Sequence, residues 1–483
     1  MALRPLAAID ADATFEAGAR FLEVAARFLA GSAAGEVAVS PDSSAEALAA
    51  RLAEPLPRTG APLGEILERV ERDVAAESIR LSHPMYLGHQ VSAPLPAAVW
   101  TDMLASAINN SLAVREMSPA GTVLEAQVIR WMCDLAGYGA GSGGTFTSGG
   151  TEATFTALLA ARAAALPDAW EQGVGADPPL VVCGEHAHYA VSRAAGELGL
   201  GMRQVVRIPS RSFRMDVGEL GAALERAAAA GRRVMAVIAT AGSTATGSFD
   251  DLAAIAELCE AHDLWLHVDA AHGASALLSS RHRHRLRGIE RARSIAWDPH
   301  KMMLLPLSAG MVLVRREADL ETAFAQQAPY LFHRAEGRRW DQGTRSFQCS
   351  RRFDALKVWV ALQRHGADGI AELHDLLCER AQQLHAAVIA HPAFEAVHEP
   401  ESNIVCFRFV GDARKGDGVG DVNRRLRESY NRSGQGWITL TVLEGRPVLR
   451  VTVMNPRTGR AHLERLLDGL AAEGMRLLAD GTA

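Results

Sequence analysis

Residues 234–301 read VMAVIATAGSTATGSFDDLAAIAELCEAHDLWLHVDAAHGASALLSSRHRHRLRGIERARSIAWDPHK. Three apolar runs rich in β-branched residues stand out in it: VMAVIATAG from Val234, LWLHVDAAHG from Leu264 and SIAWDPHK from Ser294. Two more precede them, VVCG from Val181 and QVVRIP from Gln204, and helical stretches separate the runs. Nearly continuous apolar runs suit strands buried on both faces, so the pattern predicts a mainly parallel sheet with helices on both sides. In such sheets ligands bind beyond the carboxyl ends of the strands, which makes the polar residues after each run the functional candidates.

Working outward, this alternation runs from Val99 to about Arg345. Before it, ADATFEAGARFLEVAARFLA from Ala11 to Ala30 places Phe15, Phe21, Leu22, Ala25 and Phe28 at helical spacing, an amphipathic arm of the kind that docks on a partner subunit. The prolines and glycine of SHPMYLGHQVSAPLP suit a loop lining a pocket. After residue 345 a long helix is expected over FDALKVWVALQRHGADGIAELHDLLCERAQQLHAAV. Short strands around NIVCFRFV and PVLRVTVMN and a final helix from Ala461 complete a smaller α/β domain with an antiparallel sheet. The expected division is a helical segment at 1–95, a large domain at 96–345 and a small domain at 346–483.

At 483 residues the chain exceeds one small core, and 48% hydrophobic with 22% charged residues is the composition of a globular enzyme. A net charge of −6 argues against a nucleic-acid partner, so the basic run RHRHRLR at 281–287 reads as a solvated face. Cys133, Cys183, Cys259, Cys349, Cys378 and Cys406 lack the close pairing of a zinc or redox motif, so no metal is expected. They read as buried thiols of a reducing compartment. With no signal peptide and no apolar run of membrane-spanning length, the expectation is a cytoplasmic protein without a membrane partner.

Four segments carry chemistry. WDPHKMMLLPLSAG sets Lys301 just after a strand, beside His300, in an apolar setting that favours the free amine a Schiff base needs. LHVDAAHG ends an apolar strand on Asp269, a carboxylate costly to bury without a cationic partner. A protonated pyridine nitrogen is one such partner; a helix N-cap or a metal-ligand role is the alternative. GAGSGGTFTSGGTEATFTALL leads a glycine-rich turn into a helix near Thr151, where free backbone amides at Gly150 and Thr151 make a phosphate cradle. It lacks the Gly-Lys-Ser/Thr ending of a nucleotide-binding loop. CGEHAHYAVSRAAGELG puts His188 past another strand, able to stack on a flat ring, and ATAGSTATGSFDDL offers the small residues Ser243 and Thr244.

In this order the segments resemble the decarboxylases that use pyridoxal 5′-phosphate (PLP) and act on amino acids, the group containing glutamate, cysteine sulfinate and aromatic amino-acid decarboxylases. The likeness runs from about His83 to Pro456, and HVDAAHG, the DPHK block and SSRHRHRLRGIERA look particularly like glutamate decarboxylases. It implies an aspartate aminotransferase-like, fold type I large domain and a homodimer with active sites at the interface. It implies that Lys301 forms the Schiff base, Asp269 pairs with the pyridine nitrogen, His188 stacks on the ring, Ala271 packs against it, and Thr244 and His300 lie near the cofactor. Asp298 departs from the pattern, standing where many relatives carry Asn, so no phosphate contact is assigned to it.

PLP permits several reactions, and the protein selects one by fixing which Cα bond lies perpendicular to the ring. Arg450, on the apolar strand of RPVLRVTVMNP, is the candidate for holding the α-carboxylate, with a domain-interface ion pair as the alternative. Tyr330 matches the lid tyrosine that protonates Cα after CO2 leaves, which favours simple decarboxylation over aldehyde formation. Tyr86, His89 and Gln90 match the substrate-contacting region, and His89 or Gln90 could receive an acidic side chain. Glutamate, aspartate or cysteine sulfinate is the first expectation for the substrate. The alternatives are 2,4-diaminobutyrate or an aromatic amino acid, an aldehyde synthase or aminotransferase on the same scaffold, and a catalytically silent regulatory subunit.

Overall fold

The computed structural model describes residues 5–324, 340–411 and 419–480. The chain divides into two compact units, one comprising Gln90–Gln382 and His398–Val405, the other Met1–His89, Gln383–Val397 and Cys406–Ala483.

The larger unit is built on a seven-stranded sheet. Its strands in chain order are β1 (Gly143–Thr147), β2 (Leu180–Gly184), β3 (Val205–Ile208), β4 (Val234–Thr240), β5 (Trp265–Asp269), β6 (Ser294–Trp297) and β7 (Gly310–Val314). The spatial order is β1-β7-β6-β5-β4-β2-β3. All neighbours pair parallel except β7, which runs antiparallel to both β1 and β6. The five strands expected from apolar runs are present within a residue or two of their expected starts. The central strands are buried on both faces, with Val237, Ile238, Val268 and Ile295 fully buried, whereas the edge strand β3 exposes Arg207. Each such side chain contributes about 1.5–3 kcal/mol of hydrophobic stabilisation.

Strand β1 is a correction, because the sequence reading placed its GGTFT inside a glycine-rich turn. Two glycines lower β propensity, but the strand needs them: a Cβ on Gly144 would lie 2.4 Å from the Val312 carbonyl oxygen of β7. The long helix Ala355–Ala390 also differs from the continuous element expected. Gly366, at φ 70° and ψ 166°, breaks it into two helices, a conformation a side chain would strain.

In the second unit, helix Phe15–Ala34 starts at Thr14, whose hydroxyl accepts the Ala17 N–H, and ends at Gly35 with φ 73°. Phe15 and Phe21 on this helix are exposed, as are Leu6 and Ile9 just before it. A five-stranded sheet orders Tyr86–Leu87, Trp437–Leu443, Arg446–Thr452, Ile404–Phe409 and Phe394–Ala396. It is not purely antiparallel, since Tyr86–Leu87 pairs parallel with Trp437 and Ile438. No helix among the described residues is long and apolar enough to cross a membrane.

Candidate active site

Lys301 sits in a tight turn four residues past the end of β6. Its N–H donates to the Asp298 carbonyl at 2.9 Å, and its own carbonyl accepts the Leu304 N–H at 3.0 Å. Leu304 takes φ 58°, a left-handed conformation that a non-glycine residue holds only when its surroundings fix it. The fixing bonds come from the segment after Gln90. Leu95 N–H donates to the Leu304 carbonyl at 2.8 Å. Ser92 Oγ lies 3.1 Å from the His300 carbonyl oxygen and 3.2 Å from that of Leu305.

The Lys301 ammonium lies 3.1 Å from Asp298 Oδ2. The same oxygen accepts the Gly150 N–H at 3.0 Å and stands 3.5 Å from His300 Nε2. Asp298 is 1% exposed, so these contacts offset the cost of burying its charge. His300 Nδ1 accepts the Ala309 N–H at 3.1 Å, which leaves the proton of a neutral ring on Nε2, facing Asp298. Burial holds His300 below the ordinary imidazole range despite the attraction of Asp298. The residue that departs from the sequence pattern is therefore an internal anchor, tying Lys301 to the amino end of a helix that begins 148 residues earlier, at Gly150.

That helix, Gly150–Ala165, begins directly after β1, and the Ser148 N–H is capped by Glu152 at 2.8 Å. A Cβ on Gly150 would meet Ala271 Cβ at 2.8 Å and Asp298 Oδ2 at 3.2 Å. The glycine lets the helix end close on the turn that follows β5. Asp269 terminates β5, and its Oδ1 accepts the Ala271 N–H at 3.2 Å. His188 is also held below the ordinary range by burial, with Asp269 opposing and Lys301 reinforcing the shift. That electrostatic coupling sets His188 among the same charges.

Gly150, Thr151, His188, Thr244, Asp269, Ala271, His300 and Lys301 all line one cavity of about 230 Å³. Thr240, Gly242, His272, Asp298 and Leu307 line it as well, none of them singled out for the cofactor from the sequence. His272 Nε2 is 2.7 Å from Asn403 Oδ1, a partner 131 residues away that no local pattern reveals. Ser243 does not line the cavity; its hydroxyl joins a buried chain with Thr246 at 2.9 Å and, from Thr246, Ser248 at 2.8 Å. Tyr330 lies outside the described residues.

One signal in the sequence went unused. The chain has only three lysines, Lys301, Lys357 and Lys415. Lys357 is buried and ion-paired to Asp102 at 3.0 Å and Asp354 at 3.1 Å, and Lys415 lies outside the described residues. A cavity with one amine, one strand-end carboxylate and a glycine-edged helix amino end offers what an aromatic aldehyde bearing a ring nitrogen and a phosphate requires.

The residues assigned to substrate fall into two groups. Gln90 belongs to the larger unit, two residues before Ser92, and its Nε2 is buried without a hydrogen-bond partner among the described residues. Tyr86, His89 and Arg450 belong to the other unit. There the Tyr86 hydroxyl accepts the His89 N–H at 3.3 Å, and Arg450 Nε donates to Thr439 Oγ1 at 3.1 Å. Burial raises the Tyr86 phenol and lowers the Arg450 guanidinium from their ordinary values.

Residues 46–410 match the model of a family described as the pyridoxal-dependent decarboxylase conserved domain. An L-2,4-diaminobutyrate decarboxylase of Rhizobium meliloti (strain 1021) is 35% identical over 434 residues, covering 88% of this chain and 84% of that protein. The cysteine sulfinic acid decarboxylase of Mus musculus is 34% identical over 412 residues, covering 83% and 81%. A crystal structure of mouse CSAD superposes with a TM-score of 0.90 at 30% identity, covering 96% of this chain and 99% of that one.

Proposed function

The chain belongs to the pyridoxal-dependent decarboxylases, enzymes that remove CO2 from amino acids, and on that premise we propose specific roles for its residues and an acidic substrate. The carrying observation is the single cavity that holds Lys301, Asp269, His188 and the Gly150–Thr151 helix end. Lys301 would hold the cofactor covalently, Asp269 would face its ring nitrogen, and the amides of Gly150 and Thr151 would take its phosphate, the Gly150 N–H exchanging Asp298 Oδ2 for a phosphate oxygen. His188 and Ala271 would bound the ring, with Thr244 and His300 beside it. When bound, PLP supplies the electron sink for the charge left on Cα as CO2 departs.

The chain's own groups do the rest. Asp269 would set its carboxylate at a strand end against the ring nitrogen, where it would favour a proton on that nitrogen. Asp298 binds the Lys301 amine through Oδ2 and holds it beside the helix amino end. Tyr330 is the proposed donor of the proton that Cα takes up, and the buried guanidinium of Arg450 the proposed holder of the α-carboxylate.

For the substrate side chain we propose a carboxylate or sulfinate. The support is the unengaged Gln90 amide donor, which an acidic group would satisfy, with the exposed His89 and the buried Tyr86 as further proposed contacts. Relatives named cysteine sulfinic acid decarboxylase and acidic amino acid decarboxylase agree with this reading. The diaminobutyrate decarboxylase relative favours a second one, a cationic side chain. The apolar side chains exposed along Leu6–Phe21 support assembly as a homodimer, and six free cysteines suit the reducing cytoplasm.

The test is CO2 and amine release by the PLP-loaded protein from glutamate, aspartate, cysteine sulfinate, 2,4-diaminobutyrate, tyrosine and DOPA. Equal CO2 and amine from one acidic member is expected. Preferential turnover of diaminobutyrate would overturn the acidic assignment, and aldehyde with ammonia in place of amine would overturn the simple decarboxylation.

A further inference from the structure

The basic run set aside as a solvated face contributes one residue to a cluster that neither the cofactor nor the substrate uses. His282, His374 and Cys378 each bring one ligand-type atom within 4.8 Å of the other two. His374 and Cys378 are four apart on the helix after Gly366, and so share one face. His282 arrives from 92 residues earlier in sequence, just before the short helix Arg283–Leu286.

Cys378 Sγ lies 3.9 Å from His374 Nδ1. In a tetrahedral zinc site, with Zn–S of about 2.3 Å and Zn–N of about 2.0–2.1 Å, sulfur and nitrogen ligands stand roughly 3.6 Å apart. The observed separation is within a few tenths of an ångström of that spacing. The two imidazoles incline to one another at 59° with centroids 5.4 Å apart, so they are not stacked. Asp375 flanks the pair, with Oδ1 3.5 Å from His374 Nδ1 and 3.8 Å from His282 Nε2. Ser279 donates to the same oxygen and Arg281 lies 3.7 Å from the other, so the carboxylate is fixed in place.

His374 and Cys378 are 3% and 4% exposed, whereas the His282 side chain is 21% exposed, which leaves the cluster open to ions on one side. We propose that His282, His374 and Cys378 form a binding site for a borderline transition ion, Zn²⁺ above all, with water on the Asp375 side completing the coordination. Two imidazoles and a thiolate select such an ion over Mg²⁺ or Ca²⁺, which take oxygen ligands. The thiol gives up its proton on binding, and the thiolate and Asp375 together balance the ion's two charges. The ion clips the 282 segment to the helix, a structural role separate from decarboxylation.

The experiment uses PLP-loaded protein stripped of metal by a chelator and titrated with Co²⁺, whose thiolate complexes absorb in the near ultraviolet. One Co²⁺ per chain, with a thiolate-to-cobalt band displaced by Zn²⁺, is expected. Cys378→Ser should abolish the band. His282→Asn, at the more exposed ligand where folding is least at risk, should weaken Co²⁺ binding at least tenfold. Cys349→Ser, at the one exposed cysteine, should leave the band intact. Absence of a saturable band in the parent protein, or its survival in Cys378→Ser, would overturn the assignment.

Discussion

Replacing Gly150 by alanine perturbs the proposed phosphate cradle by one methyl group. The added Cβ would sit 2.8 Å from Ala271 Cβ, whereas carbon atoms in contact settle at about 3.5–4.0 Å, so one side must retreat by about 1 Å. Ala271 is tied on both sides, by its N–H to Asp269 at 3.2 Å and by its carbonyl to the Asp298 N–H at 3.1 Å. The helix end therefore yields, and the Gly150 N–H, which here lies 3.0 Å from Asp298 Oδ2, is carried away from the position from which it would reach the cofactor phosphate. A hydrogen bond to a charged group contributes about 1.5–3 kcal/mol, which is roughly 10- to 150-fold in an equilibrium constant. Gly150→Ala should weaken PLP binding to the apo-protein by about that factor, measured by absorbance titration. Gly139→Ala, where nothing lies within 4 Å of the new methyl group, is the control and should bind PLP as the parent does. Parent-like affinity in Gly150→Ala, with folding confirmed, would refute the cradle.

Asp269→Asn should lower kcat by about 100-fold or more, since a carboxylate that raises a facing nitrogen by two pKa units contributes about 2.7 kcal/mol; a kcat within threefold of the parent would contradict the pairing. Burial lowers His267 from 6.5 to about 4. The native state then binds fewer protons than the unfolded state between those values, so His267's contribution is complete above pH 6.5 and is lost as pH falls towards 4. The amount is about 3 kcal/mol over the full range, of which about 2 kcal/mol falls between pH 7.5 and 5, so urea unfolding of His267→Asn at those two pH values should show a loss flatter by that smaller amount, an identical slope counting against it. Arg351 and Glu125 form a buried pair at 2.9 Å, so Arg351→Ala strands a carboxylate and should cost about 3–5 kcal/mol in denaturant unfolding. A loss under about 1 kcal/mol would show the pair to be screened.

Where apolar patterning dominates, the sequence was readable: β4, β5 and β6 and the residues at their ends follow from runs such as VMAVIATAG and LWLHVD. What escaped depended on partners distant in sequence. Strand β1 is glycine-rich because β7 crosses close to it, a contact that GGTFT does not announce. His272 is indistinguishable by pattern from the other histidine of HVDAAHG until Asn403 is brought beside it. Asp298 departs from the resemblance without a role that the sequence supplies, and only the turn geometry shows its carboxylate taken up by Lys301 and Gly150. Cysteine spacing could not bring His282 to the His374–Cys378 pair, because it lies 92 residues before His374 in the chain.

The most direct test of the account is the identity of the lysine that carries the cofactor. With three lysines in the chain, borohydride reduction of the PLP-loaded protein followed by digestion and mass spectrometry has three possible sites to read. Pyridoxyl phosphate is expected on Lys301 alone, and none in Lys301→Ala. A label on Lys357 or Lys415, or an undiminished label in the variant, would contradict it.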